Sequence, residues 1–253
     1  MSFARVMLCG TLLMGCAVDQ GDDETSEIVD NLLQAGYPES EIAIVDGLVY
    51  AGRDAHVTLE ASREMIADVG PGEEQYRTTN LVGAGVSKIC VIPSSSLAGT
   101  AQLSQGLDLA IENYNQLGLQ FTLARGDAAD CSARIYGKVA GPVGGSSGFP
   151  SNGLPYGEFQ VGSGLKRYSV DVNEHVITHE LGHTIGLRHS DYYNRSISCG
   201  SGGNEGDGGV GAILIEGTSP TATRGGSLMN SCFRSSETGE WLGDDVKALQ
   251  VLY

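Results

Sequence analysis

Apolar residues recur at helical spacing at Ile28, Leu32 and Leu33, and Gly36 closes that helix. Glu41 to Tyr50 alternates loosely and predicts a strand, and Thr58 to Ile66 a second short helix. Together these make a compact element too small for a robust core of its own. Gly70 to Thr79 is polar and broken by Gly and Pro, the pattern of a linker. The main run of elements begins near Leu81. Lys88 to Ile92 predicts a short buried strand. Gly99 to Gly118 predicts a helix with Leu103, Leu107, Ala110, Ile111 and Tyr114 on one face. Leu119 to Ala124 and Ala133 to Val139 alternate as strands. Nine glycines and three prolines between 137 and 164 predict irregular loop before a strand at Glu158 to Val161. A helix follows, with Asp171 and Glu174 placed as a capping box and Asn173 competing as N-cap. A second glycine-rich stretch spans 200 to 211, and Gly243 to Tyr253 closes the chain as a helix, with Val246, Leu249, Val251 and Leu252 as its apolar positions and Asp244 in its first turn.

The candidate chemistry lies on the helix after Asn173. His179-Glu180-Leu181-Gly182-His183-Thr184-Ile185-Gly186-Leu187-Arg188-His189 reads H-E-x-x-H-x-x-G-x-x-H. Two histidines four apart share one helix face, one turn apart. Gly186 lets the backbone leave the helix with positive φ, so His189 can approach from outside. Three imidazoles suit one tetrahedral Zn²⁺ with an open fourth position, and Glu180 beside that position is placed to act as base toward a water. His175, one turn before His179, reads as a solvent-facing first-turn residue. Asp191 is placed to orient His189 from behind, with its use as third ligand in place of His189 as the alternative. Glu205 and Asp207 are the only hint of a Ca²⁺ site, but their spacing fits no defined loop, so they read as solvated turn residues.

Composition narrows the setting. A net charge of −16 with no basic patch argues against nucleic acid as a partner. Arg5 followed by the apolar run Val6 to Gly15 reads as a targeting segment too short to span a bilayer. It ends Leu13-Met14-Gly15-Cys16, which resembles a bacterial lipobox, with residues 1–15 removed and Cys16 lipidated; an ordinary secretory signal is the alternative. Gly21 to Ser26 reads as a tether. Four cysteines remain, Cys90, Cys131, Cys199 and Cys232, and an even number in an exported chain implies two disulfides with three connectivities. Cys90–Cys131, stapling two strand regions, and Cys199–Cys232, bridging the loops beyond His189, is the favoured pairing.

The extended zinc motif resembles that of the metzincin metallopeptidases. With the Gly226-Ser227-Leu228-Met229-Asn230 segment and the D-D-V-K-A-L-Q-V-L-Y tail, the chain is most similar to the bacterial secreted "dual-action HEIGH" metallopeptidases, Leu181 replacing that name's Ile. The resemblance implies an α+β, metzincin-like (zincin) fold. A twisted mixed sheet with a backing helix lies above the active-site helix, and a small C-terminal subdomain carries a Met-turn at Met229 and the terminal helix. Substrate would lie in the cleft between them, along an edge strand. The resemblance also implies a zinc endopeptidase acting on proteins or peptides, monomeric, exported to the cell envelope or secreted, and touching membrane only through a lipid on Cys16. The tyrosine that some metzincins carry two residues past the Met is Ser231 here. Residues 16–79 then read as tether and pro-region before a protease domain at 80–253. Tyr50-Ala51-Gly52-Arg53-Asp54 loosely resembles the zinc-blocking aspartate segment of the astacin branch, with Arg53 an intrusion, and so offers Asp54 as a latent zinc ligand, with a structural turn residue as the alternative. The rival from another class is a surface lipoprotein that binds protein or glycan and keeps zinc as scaffold.

Overall fold

The computed structural model describes residues 20–52, 54–67, 75–206, 212–219 and 221–253. The targeting segment, Cys16, Arg53 and Asp207 lie outside them. Among the described residues no helix is long and apolar enough to cross a membrane.

The N-terminal element opens with α1 (Gln20–Gln34). The single strand expected over Glu41 to Tyr50 is instead a hairpin of β1 (Ile42–Val45) and β2 (Leu48–Ala51). Asp46 and Gly47 make its turn with φ of 52° and 79°, the left-handed pair that an Asp-Gly step favours because it matches strand twist. A two-residue β3 (Ala55–His56) and α2 (Leu59–Ala67) complete the element. It has a core after all: Leu32, Ala35, Val49, Val57, Ala61 and Met65 are buried together, joined by Phe149 from the main body.

Residues 75–80 are not a free linker. β4 (Tyr76–Arg77) pairs with β10 (Ile213–Leu214), and Arg77 bridges to Leu187. β5 (Lys88–Pro93) leads into a short α3 (Ser95–Ala98) and then α4 (Ala101–Asn115), which buries the apolar face expected of it. β6 (Thr122–Arg125), β7 (Ala133–Val139) and β9 (Glu158–Val161) follow the alternation seen in sequence. The glycine-rich stretch hides one more strand, β8 (Gly145–Gly148). α5 (Val170–Thr184) carries the histidines, a short α6 (Ser196–Cys199) follows, and α7 (Gly243–Leu252) ends the chain. In α7 Ala248 and Leu249 face inward, while Val251 is exposed.

The eight-stranded mixed sheet runs β1-β2-β3-β8-β9-β7-β5-β6. β6, β5, β7 and β9 are parallel, β8 is antiparallel to β9, and β3 adds parallel to β8. α4 packs on α5, and one core links the sheet through Leu107, Ile135, Phe159 and Ile177 to Met229 and Leu249. The Asp171 capping box does not form. Ser169 caps α5 by accepting from the Val172 amide, and Asn173 instead donates to the carbonyls of Leu165 and Ser169. Both expected disulfides are present, Cys90–Cys131 and Cys199–Cys232.

Candidate metal centre and active site

α5 is buried almost all round, from Val172 to Thr184, so its histidines point into protein rather than toward water. Gly182 makes room for Met229: a Cβ there would sit 2.7 Å from Met229 Sδ and push on a side chain that is fully buried beneath the histidines. The helix ends at Thr184, and Gly186, with a φ of 109°, turns the chain back. The returning chain is held by the Arg188 amide on the Tyr76 carbonyl (2.8 Å), and the Ser190 amide donates to the Met229 carbonyl (2.8 Å). That path carries His189 to the helix face. Ring centroids of His179, His183 and His189 lie 4.7, 4.9 and 5.2 Å apart. Asp54, just before β3, enters the same space, and one ligand atom from each of these four residues lies within 4.8 Å of all the others.

The arrangement fits a metal ion. Nδ1 of His179 lies 3.0 Å from the Leu228 carbonyl and Nδ1 of His183 lies 2.8 Å from the Leu187 carbonyl, which puts the proton on Nδ1 and leaves Nε2 free to ligate. Nε2 of His183, Nε2 of His189 and Oδ1 of Asp54 are buried without a hydrogen-bond partner, although His189 Nε2 lies 3.1 Å from Asp54 Oδ2. Unpaired buried polar atoms are costly, and a cation shared by them relieves that cost. Burial and the neighbouring His189 lower His179 to about 4, and burial holds His183 well down, so both are neutral at physiological pH. Burial opposes ionisation of Asp54, but the three imidazoles outweigh it and hold the carboxyl low; Asp54 and Glu205 in turn raise His189 against its own burial.

Glu180 lies beside the cluster with Oε2 accepting from Ser147 Oγ at 3.0 Å, and burial together with the Asp54 charge raises its carboxyl well above the usual range. A cavity of about 250 Å³ opens there, walled by Asp54, His175, His179, Glu180 and Phe233.

Three expectations change. His175 is buried, 5% exposed, and lines this cavity with its ring stacked 6.4 Å from His179, rather than facing solvent. Asp191 does not touch His189. Its oxygens accept from Ser198 and Ser231, because the turn after His189 carries its side chain toward the Cys199–Cys232 loops. Glu205 is no solvated turn residue: it is 1% exposed, with Oε1 2.7 Å from His189 Nδ1. No local signal marks Glu205, which lies in a glycine-rich stretch where buried and solvated acids look alike. Ser231 donates to Asp191 (2.8 Å) and Glu205 (3.2 Å), while Tyr192 is buried against Tyr76 and Tyr193 accepts from the Ala222 amide.

The dual-action HEIGH metallo-peptidase family model matches residues 49–253, from the hairpin that precedes Asp54 to the last residue. The chain belongs to that family. It is a zinc metallopeptidase, a hydrolase of protein or peptide substrates, whose three histidines and aspartate are compatible with one catalytic zinc. Nothing supports a binding module in its place. Curated proteins yield no match. Among solved structures it is similar to myroilysin, at 13% identity and a TM-score of 0.44 over 70% of this chain and 98% of that one. It is also similar to high choriolytic enzyme 1, a hatching-enzyme zinc-protease of Oryzias latipes, at 17% identity and a TM-score of 0.43 over 69% and 92%.

Proposed function

We propose that this metallopeptidase is an endopeptidase in a latent form, with Glu180 as general base. The observation that carries the reading is the position of Asp54, whose carboxylate converges with the three histidines while β3 lies along the β8 edge. An extended peptide needs that edge for backbone pairing, and its carbonyl needs the coordination position Asp54 approaches. Residues 16–79 therefore contain the pro-region, and displacement of its β1–β3 part opens both.

His179, His183 and His189 hold zinc, which when bound polarises the scissile carbonyl and acidifies a water. Glu180 orients that water, accepts its proton and passes it to the leaving amine. Ser147, hydrogen-bonded to Glu180, keeps its carboxylate facing the cavity. Two disulfides favour an exported protein; the leader reading adds a Cys16 lipid anchor, and the mature enzyme acts as a monomer.

The test is digestion of a denatured protein such as casein by the full chain. Wild type is expected to be nearly inert, and Asp54→Ala to digest it and to stop when a chelator is added. An Asp54→Ala chain that remains as inert as wild type while holding one zinc would sink the latency reading. Activity that survives complete zinc removal would sink the mechanism.

A further inference from the structure

We propose that Glu205 is the positioning residue of the third zinc ligand. The inference rests on the reading of His179, His183 and His189 as the zinc site.

The three imidazoles are steadied in two different ways. His179 and His183 use the carbonyls of Leu228 and Leu187, which the Met-turn and the helix end hold in place whatever side chains surround them. His189 stands outside the helix, and the partner at its Nδ1 is the Glu205 carboxylate at 2.7 Å, brought from a loop sixteen residues further on. A carboxylate behind a ligating imidazole fixes which nitrogen carries the proton, holds the ring plane and makes the other nitrogen a stronger donor.

The carboxylate is built in with care. Arg195 Nε lies 3.2 Å from Oε1, and Arg188 Nη2 lies 3.6 Å from Oε2. Ser231 Oγ donates to Oε1 (3.2 Å), and the Glu205 amide donates to the Tyr192 carbonyl (2.7 Å). Buried acids need such partners, since a lone carboxylate at 1% exposure would be expensive. The N-terminal element closes over this group. Glu41 lies 3.3 Å from Arg195, Tyr37 stacks under Arg188 at 4.5 Å, and a Cβ at Gly52 would come within 2.9 Å of Glu205 Oε2. Asp191 is the natural control, an equally buried acid two residues from His189 whose oxygens are spent on Ser198 and Ser231.

The test is zinc affinity of the full chain by competition with a chromophoric chelator, together with the absorption spectrum after Co²⁺ substitution. Wild type should bind one zinc; a wild-type chain that binds none would overturn the metal-site reading itself. Glu205→Ala is expected to weaken zinc by about 10–100-fold. Glu205→Gln keeps the volume and an acceptor but not the charge, so it should lose less affinity and shift the Co²⁺ bands. Asp191→Asn should leave both readouts at wild-type values. Wild-type affinity in Glu205→Ala, or an equal loss in Asp191→Asn, overturns the assignment. Should Glu205→Ala fail to fold, Glu205→Gln decides alone, and wild-type affinity with an unshifted spectrum overturns it.

Discussion

The N-terminal element and the main body share one sheet but are held by different forces. The body is knit by a continuous apolar core from the sheet through α4 and α5 to α7, with both disulfides inside it. The element keeps a separate small core. It meets the body through the two-residue β3, the side chain of Phe149, and polar contacts such as Glu41 with Arg195, Asp54 with His189 and the Ala61 carbonyl with Asn80. None of the buried residues in the large core comes from the element. The lesson is that removing the element would uncover the site without emptying the body's core. Polar contacts hold well only while water is excluded, so an attachment built from them can let go where an apolar core cannot.

Four substitutions would break or sharpen that contrast. The largest effect is expected from Glu180→Gln, which tests whether the chemistry lies wholly in the body. In an Asp54→Ala background, proteolysis should fall about 10²–10⁴-fold while zinc content and the unfolding midpoint stay put. Full activity there would refute Glu180 as base. Next come paired truncations in the two cores. Leu107→Ala should cost about 2–5 kcal/mol and shift urea unfolding followed by Trp241 fluorescence, because Trp241 packs on Tyr114 in the body. Leu32→Ala should cost a similar amount within the element yet leave the Trp241 transition in place, its effect showing as faster cutting of residues 20–67 by an added protease. A shift of the Trp241 transition by Leu32→Ala would mean the two regions fold as one. The smallest effect concerns Glu174, which burial raises to about 7 despite the Asn113 amide beside it. A carboxyl raised in the folded state contributes stability below its unfolded value near 4.5, and that contribution is lost as pH rises through about 7. Glu174→Gln should therefore match wild type at pH 4 and exceed it by roughly 1–2 kcal/mol at pH 8, discounted for partial solvation. A constant difference across that range would contradict the shift.

Much of the body was legible because its signals are short-range. The face of α4, the alternation of β7 and the helical spacing of His179 and His183 each need only neighbouring residues. The Asp46-Gly47 turn was also written in the sequence, and reading Glu41 to Tyr50 as one strand passed over a hairpin step. β8 had no such signal. Gly-Ser-Ser-Gly has neither strand propensity nor alternation, and it is a strand because β9 and β3 lie on either side of it. Ser169 and Asp171 are both good caps, so residue type does not separate them, and the folded chain uses Ser169, two residues before Asp171.

The acids around His189 mark the limit. Asp54, Asp191 and Glu205 are all acids in polar, loop-like stretches, and spacing alone favours Asp191, two residues from His189, as the acid behind that imidazole. The fold places Asp54 on the cluster, where the resemblance puts it, but it turns Asp191 toward Ser198 and Ser231 and brings Glu205 onto the imidazole. The amino-acid sequence alone determined that two histidines and a glutamate share one helix face and that a glycine returns a third histidine, because helix geometry sets those positions within a few residues. Which carboxylates meet those histidines depends on loops closing across the whole chain. Only the packed structure pays the entropy of bringing them together, so only it could choose.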